Sequence, residues 1–576
     1  MRWRPFFCVL FLIPFVGLAQ TNITLHLVAE EEGRPVLRKS RYERRHSDSA
    51  AAAREVVRVV ETLRRGEYPL AAVDRLVRQN DSLLAWLYVG RPLEIRLGGQ
   101  SAPEEILRSL GPKREETGWR VPHSAWATLS ERILSYAENH GYPFARVQLD
   151  SVRLADNRLR ADVIYRSGPY TVFDTLVLSG SAKIKSRFLA TYLNLPPGQP
   201  FSQAKWEQAS RLLARLPYLK LGRPPTVRFG EDKAGVHLVA NARKTNQLDG
   251  IIGFLPNQAV PNRLLVTGEV KLRLSNLFGT GKTFGFHWQQ VRSASPWLQL
   301  AYEQPTLLRT RLQLKLTFDL LKQDTAFLNV NRRLGLGYPL GNAGQATAFA
   351  GVKSSRLGSL PSYRDENALP ELADVRYASY GLGYEWNTLD DHLHPRRGIL
   401  LRLESEAGNK KVIRNPFLDP RLYEGIAPTA RQLSLRAHAQ RYVALSKRSV
   451  LLAGFGAAKL ISRSLFRNDL YRLGGLNSLR GFNENFFYAS QYALGTLEYR
   501  LFTDETSYLL LCFDGAWLTA QTVRGHARDT PFGAGAGVNF RTGTGAFNLI
   551  YAMGRSKEQK FGLNFSKIHF GYASLF

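Results

Sequence analysis

From Gln247 to Phe576 the chain shows no convincing amphipathic helix. Apolar and polar residues instead alternate in short segments, separated by turns rich in Gly, Asn, Asp and Pro. A period of two places successive side chains on opposite faces of an extended strand, so this part of the chain is expected to fold as sheet. The alternation is clearest in Leu265–Asn276, Thr283–Val291, Leu312–Leu320, Leu400–Glu406 and Leu433–Arg441. It continues in Leu451–Leu460, Leu494–Phe502, Tyr508–Leu518, Phe532–Phe540 and Phe547–Met553.

The whole region sections into about sixteen strands, a number that suits a closed transmembrane barrel. After the N-terminus no stretch reaches the length of an apolar membrane helix, but hydropathy does not reveal strands that alternate. The 31 Phe and 24 Tyr, against 2 Met and 2 Cys, also favour a strand-rich protein. Parity assigns the faces. On Tyr508–Leu518, Leu509, Leu511, Phe513 and Trp517 share the face expected to meet lipid, while Cys512, Asp514 and Ala516 look into the lumen. In the last run Ile568, Phe570, Tyr572 and Phe576 face lipid, and Lys567 and His569 the lumen. Phe561, Leu563 and Phe565 have the opposite parity, so a bulge or turn is expected near Ser566-Lys567.

Residues 1–19 read as a secretory signal peptide. Arg2 and Arg4 precede the apolar Phe6–Val16, and Gly17-Leu18-Ala19 forms a small-residue cleavage site. Removal of Cys8 with this leader leaves Cys512 alone, without an internal disulfide. Residues 20 to about 245 mix strand and helix patterns. Ile23–Val28 alternates as a strand; Ser47–Arg64 reads as a helix capped by Ser47 or Asp48, with Val56, Val57, Val60 and Leu63 as its stripe. Strands Ala71–Val77 and Leu83–Val89 flank a turn at Gln79-Asn80-Asp81. The phrase Tyr68-Pro69-Leu70-Ala71 returns as Tyr142-Pro143-Phe144-Ala145, and Val89-Gly90-Arg91-Pro92 is answered by Ser167-Gly168-Pro169, the mark of a repeated small domain. A third unit runs strand Val172–Leu178, helices Lys183–Tyr192 and Ser202–Leu216, then strands Thr226–Phe229 and Val236–Ala242. The expected division is 20–92, 93–168, 169–245 and a barrel from 246 to 576.

The formal charge of +30 comes from Lys and Arg spread along the whole chain. With no compact basic block and no nucleic-acid motif, a basic surface that meets phosphate-bearing lipid or acidic chains is the more economical reading, and nucleic acid is not expected. Gly281-Lys282-Thr283 lacks the upstream Gly of a phosphate-binding loop, since Asn276 stands there, and a strand follows it. Asp390, Asp391, His392 and His394 belong to a turn that no further Cys or His group completes as a metal site. No nucleophile elbow or zincin helix is present, so neither an enzyme nor a cofactor is expected.

Gly474-Gly475-Leu476-Asn477-Ser478-Leu479-Arg480-Gly481-Phe482 lies in a long loop between two strand-like runs, upstream of Phe513-Asp514-Gly515. The pair of segments resembles the loop motif and partner strand of the BamA/TamA superfamily of outer-membrane assembly and translocation barrels. Asn276-Leu277-Phe278-Gly279-Thr280-Gly281 is similar to that family's first hairpin turn, and Asp391–Gly398 to a recurrent mid-barrel turn. The third α+β unit resembles a POTRA domain, and a chain ending at Phe576 with Phe570 and Tyr572 on one face resembles the C-terminal barrel signal. The resemblance implies POTRA-like repeats followed by an outer-membrane barrel, with the N-terminal domains in the periplasm. It implies that Arg480, Gly481 and Phe482 fold back into the lumen and that Asp514, flanked by Phe513 and Gly515, anchors Arg480. In a partly water-filled lumen that pair is expected to contribute roughly 1–3 kcal/mol. The implied partners are unfolded outer-membrane or secreted clients, a long TamB-like periplasmic protein, and lipid. Three repeats match TamA in layout; a two-partner secretion pore or a passive channel are the rival readings.

Overall fold

The computed structural model describes residues 23–97, 102–109, 114–115, 118–155, 158–213, 215–256, 264–290, 295–323, 326–341, 343–358, 371–391, 394–416, 419–541 and 546–575. The expected signal peptide at 1–19 and the residue Phe576 lie outside them. Two compact units emerge. One holds the chain to Val172 together with Pro200–Gln203, and the other holds the remainder.

In the first unit, Ile23–Ala29 pairs in parallel with Ser82–Tyr88, and Ala72–Gln79 closes the edge through a turn at Asn80, φ +49°. Helix α1 (Arg34–Lys39) and helix α2 (Ser49–Arg65) accompany this sheet. The Asp48 carboxylate accepts the Ala51 N–H at 2.7 Å, capping α2. Val56, Val59, Val60 and Leu63 then close a core on Ile23, Leu25, Leu83 and Leu87. A five-stranded sheet follows, in which Leu93–Leu97 lies parallel to Arg158–Arg166. Helix α3 (Glu104–Ser109) and helix α4 (His123–Asn139) bury Leu107, Leu129 and Ile133 against it. The sequence pattern did not reveal α4, which starts after Pro122 without a side-chain cap.

Apart from the first residues of its first strand and of α6, the second unit opens with strand Val172–Ser179, helix α5 (Ser186–Leu193), helix α6 (Gln203–Leu213) and strands Leu219–Leu221, Thr226–Phe229 and Lys233–Ala242. Helix α6 is shorter than the expected Ser202–Leu216, and the added strand Leu219–Leu221 pairs with Lys233–Ala242.

The rest is an antiparallel barrel of sixteen strands. They are β1 (Gln247–Pro256), β2 (Leu264–Leu277), β3 (Lys282–Gln290), β4 (Trp297–Gln304), β5 (Gln313–Gln323) and β6 (Phe327–Leu340). Next come β7 (Gly344–Leu357), β8 (Asp374–Asn387), β9 (Gly398–Ile413), β10 (Thr429–Ala444) and β11 (Ser449–Ser462). The last five are β12 (Gln491–Phe502), β13 (Tyr508–Thr522), β14 (Gly525–Asp529 and Phe532–Arg541), β15 (Ala546–Arg555) and β16 (Lys567–Leu575). Both pieces of β14 pair with β13, so they form one strand interrupted at Thr530-Pro531. Leu563–Phe565 forms a 3₁₀ turn, which explains the parity change before β16.

The α+β module at the start of this unit rests on the turns at one rim of the barrel. In the β2–β3 turn, Asn276 and Phe278 have φ +56° and +57°. The Gly279 carbonyl accepts the Lys185 N–H at 2.8 Å. Phe188 of α5 lies against Gly281, where a side chain would collide with its ring. The Arg215 guanidinium donates to the Asn387 carbonyl at 3.0 Å, and Arg243 pairs with Asp391 at 3.0 Å.

Candidate functional site

The long connection between β11 and β12 folds into the lumen. Its turn is built by backbone freedom: Gly474, Gly475 and Gly481 have φ of +118°, +92° and +87°. The Ser478 hydroxyl accepts the Gly474 N–H at 2.8 Å, and the Glu484 carboxylate accepts the Leu476 N–H at 2.9 Å. Leu479 and Phe482 are fully buried. Phe482 packs edge-on against Phe487, ring centroids 4.8 Å apart. A Cβ at Gly481 would stand 2.5 Å from the Met553 carbonyl carbon of β15, so the loop lies directly on the wall. Gln559 fixes it there, donating to the Gly481 and Gly554 carbonyls at 2.9 and 3.0 Å.

The structure brings Arg480 and Asp514 together. Arg480 Nε donates to Asp514 Oδ2 at 2.7 Å and Nη2 to Oδ1 at 2.8 Å, a two-pronged pair. Its backbone N–H adds a bond to Oδ2 at 3.1 Å. A third member, Glu498 on β12, was not singled out in the sequence. It accepts Arg480 Nη1 at 2.6 Å and Arg500 Nε at 2.5 Å. Its signal was the same parity applied to β12, where Thr496, Glu498 and Arg500 alternate with Leu497, Tyr499 and Leu501. The side chains of Arg480, Glu498 and Asp514 are 7%, 7% and 1% exposed. The three side chains are largely shielded from solvent, so removing one partner alone falls in roughly the 3–5 kcal/mol range of a broken buried pair.

Phe513 faces outward and stacks on Phe532 at 6.3 Å, and Gly515 pairs with Gly495 on β12. On β16, Phe570 is exposed outward and Tyr572 meets Phe547 at 4.7 Å, whereas His569 Nε2 accepts the Gly481 N–H at 3.5 Å. Phe576 lies outside the described residues.

The same connection has a second anchor. Lys410 of β9, fully buried, pairs with Asp469 and donates to the Ser464 carbonyl at 2.7 Å. Asn468 donates to Ser355 at 2.6 Å and to the Ala373 carbonyl at 2.8 Å. In the β8–β9 turn, Asp390 Oδ1 accepts the backbone N–H groups of Asp391, Arg396 and Arg397. Burial holds His394 below the usual imidazole range, and His392 lies outside the described residues. Among the described residues no three His, Cys, Asp or Glu gather as metal ligands.

The seam between first and last strands is thin. β1 pairs with β2 from Gln247↔Arg273 to Pro256↔Leu264, but with β16 only at Gln247↔Leu575 and Leu248↔Ser574. Past that fork a cavity of about 240 Å³ is lined by Asp249, Gly250, Glu269, Asn548, Phe570 and Tyr572. The Oδ1 atoms of Asp249, Asn539 and Asn548 are buried there without a hydrogen-bond partner.

A family model described as the Omp85 superfamily domain matches residues 276–576. No curated protein matches the sequence. Among solved structures, CdiB from Escherichia coli aligns at 15% identity and a TM-score of 0.55, over 84% of this chain and 90% of that one. CdiB from Acinetobacter baumannii aligns at 11% and 0.53, over 84% and 89%. BamA from Haemophilus ducreyi lacking POTRA domains 1–3 aligns at 14% and 0.42, over 84% and 99%. The two CdiB alignments show a shared fold alone. With the family match spanning more than half of the chain, this is a member of the Omp85 superfamily of outer-membrane β-barrels.

Proposed function

We propose that this protein inserts or translocates other proteins at the bacterial outer membrane, without enzymatic chemistry, by opening the seam between β1 and β16. The observation that carries the reading is the fork after Leu248↔Ser574. Continuing that register would set Asp249 opposite Ala573 and Pro256 opposite Ser566, yet no pairing occurs there. The N–H and C=O groups of both edges are thus available to a client strand, and a closed barrel gives up little hydrogen bonding when the seam widens.

Residues 20–92, 93–168 and 169–245 are assigned as three POTRA-like domains in the periplasm, a TamA-like layout. Two of their sheets support a client-binding role. Ala72–Gln79 and Arg146–Ala155 are edge strands with mostly exposed side chains, open to strand addition by an unfolded client or a long TamB-like partner. Arg480, Glu498 and Asp514 hold the loop in the lumen as one unit, and Phe570, Tyr572 and Phe576 form the barrel's own assembly signal.

A disulfide clamp tests the seam. Leu248→Cys with Ser574→Cys joins residues directly opposite on antiparallel strands, within disulfide reach. The purified protein in phosphatidylcholine vesicles is offered a urea-unfolded outer-membrane barrel, and the heat-shifted folded band is followed. The oxidised clamp should stop insertion and reduction should restore it. Equal insertion in both states would refute lateral opening.

A further inference from the structure

We propose that the outer wall of the barrel, at the rim away from the α+β module, carries a binding site for a phosphate-bearing lipid of the outer leaflet. The site deepens the reading above, resting on the outer-membrane location and the periplasmic α+β region.

Strand parity defines the surface. On β8, Arg376, Ala378, Tyr380 and Leu382 are exposed between the inward Val375, Tyr377 and Ser379. On β9, Asn409 and Lys411 are exposed around the buried Lys410, and on β10 Arg431 is exposed between the buried Ala430 and Gln432. The register then sets cation beside cation. Arg376 stands directly opposite Lys411, and Arg431 stands opposite Asn409, one diagonal step from Lys411. Arg332 lies on the same face, opposite Val352, and Arg356 follows Ser354, the partner of Arg376, along β7.

Directly opposed residues have Cβ atoms about 5 Å apart, and like charges there repel. The chain does nothing to offset this. Arg332, Arg356, Arg376, Lys411 and Arg431 make no ion pair or side-chain hydrogen bond among the described residues. Asp374, the acid nearest in register, is already engaged: its carboxylate accepts the Leu357 N–H at 2.6 Å and the Asn415 amide at 2.9 Å. The inward cations of the same strands are treated differently. Arg333 pairs with Glu404 and Glu406, Arg402 with Glu385, Arg436 with Glu404 and Lys410 with Asp469. Even the inward Lys353, which has no acid partner among the described residues, donates to the Asn468 carbonyl at 3.1 Å, whereas the outward cations have neither. Cations left so at the edge of an apolar wall call for an external anion.

Below them the wall offers a place for acyl chains. An open outward groove of about 520 Å³ is lined by Leu316, Phe318, Leu334, Ala378 and Tyr380, and Arg332 stands at its rim-side end. Small Ala350 and Ala378 leave the depression between Leu334, Val352 and Tyr380. Apolar groove below and clustered cations above match one amphiphile: acyl chains with a phosphorylated headgroup.

The test uses the full chain purified in a zwitterionic detergent, with native mass spectrometry of added lipid. Bis-phosphorylated lipid A, dephosphorylated lipid A and phosphatidylcholine are compared. Bis-phosphorylated lipid A should bind in preference to both others. Arg376→Gln with Lys411→Gln should weaken it by roughly fivefold per charge, about 25-fold in all. Arg441→Gln, exposed on β10 at the opposite rim, should leave binding unchanged. Equal retention of phosphorylated and dephosphorylated lipid, or an equal loss in Arg441→Gln, overturns the site. So does full displacement by inorganic phosphate, which would reduce it to an anion site without lipid. The unfolding temperature of the lipid-free double variant should not fall; a fall would make these side chains supports of the barrel. Because binding is read on folded barrel, it separates from client insertion: lipid A retained by a chain that inserts no client would sink the proposed function alone.

Discussion

Removing the Arg480 side chain should cost more than removing its partner. In Arg480→Ala, Asp514 keeps a single donor, the backbone N–H at 3.1 Å, while its carboxylate remains 1% exposed. Leaving one charge of a buried pair alone costs roughly 3–5 kcal/mol. In Asp514→Ala the guanidinium still holds Glu498 at 2.6 Å, so the loss is nearer that of its charge-assisted bonds, roughly 1.5–3 kcal/mol. The double variant leaves Glu498 on Arg500 with no orphaned charge, and should cost no more than Arg480→Ala alone. Arg480→Lys keeps the charge but not a fork that reaches two carboxylates, and should fall between. The assay is protease cleavage within residues 474–490 of the barrel in detergent micelles, together with its urea midpoint. At about 1.4 kcal/mol per tenfold, 3 kcal/mol opens the loop roughly a hundredfold more often. Cleavage should rise while the barrel's heat-shifted band persists. Losses that add in the double variant, or a loop as protected in Arg480→Ala as in the wild type, would refute the shared network.

The second anchor should respond in the same way. Lys410→Met orphans the Asp469 carboxylate and should release the Ser464–Leu473 segment to hydrogen exchange at a cost of roughly 3–5 kcal/mol, and Lys410→Met with Asp469→Leu should recover most of it. Unchanged protection in the single variant would count against the anchor. In the first unit, hydrogen bonds from the Arg58 guanidinium and the Glu43 N–H hold the Glu55 carboxyl down at about 2, from 4.5. A depressed folded pKa stabilises above the unfolded value, so a fragment of residues 20–172 should lose stability as pH falls from about 4.5 toward about 2. Glu55→Gln should flatten that slope; an unchanged slope would show the pair to be idle.

The lipid and lumen faces were legible because a strand has only two sides. Leu509, Leu511 and Phe513 are exposed, and Leu510, Cys512 and Asp514 buried, so period two agreed with the inward Asp514 that the family resemblance implied as the partner of Arg480. Strand lengths were not legible. β9 runs from Gly398 to Ile413, while the visible pattern covered Leu400–Glu406, because alternation fades where Asn409, Lys410 and Lys411 rise beyond the apolar band. The Lys410–Asp469 anchor was hidden for a related reason: nothing in a loop's sequence says which wall residue it will meet. Helix α4 lacked a start signal at Pro122, and α6 lost the last turn expected of it because its final apolar residues enter the turns before Leu219–Leu221.

The docking of α5 on the β2–β3 turn has a mechanical consequence. Lys183 and Lys185 grip Asn276 and Gly279 through main-chain groups, and Phe188 leaves no room at Gly281 for the turn to shift. β1 is bonded to β2 along its whole length, whereas it holds β16 by its first two residues. A pull on the α+β module therefore reaches the barrel one strand away from its weakest joint, through a stiff ribbon of two strands. Under the proposed lateral opening, the module is a handle, the β1–β2 ribbon a lever, and the fork after Leu248 the point where the lever yields.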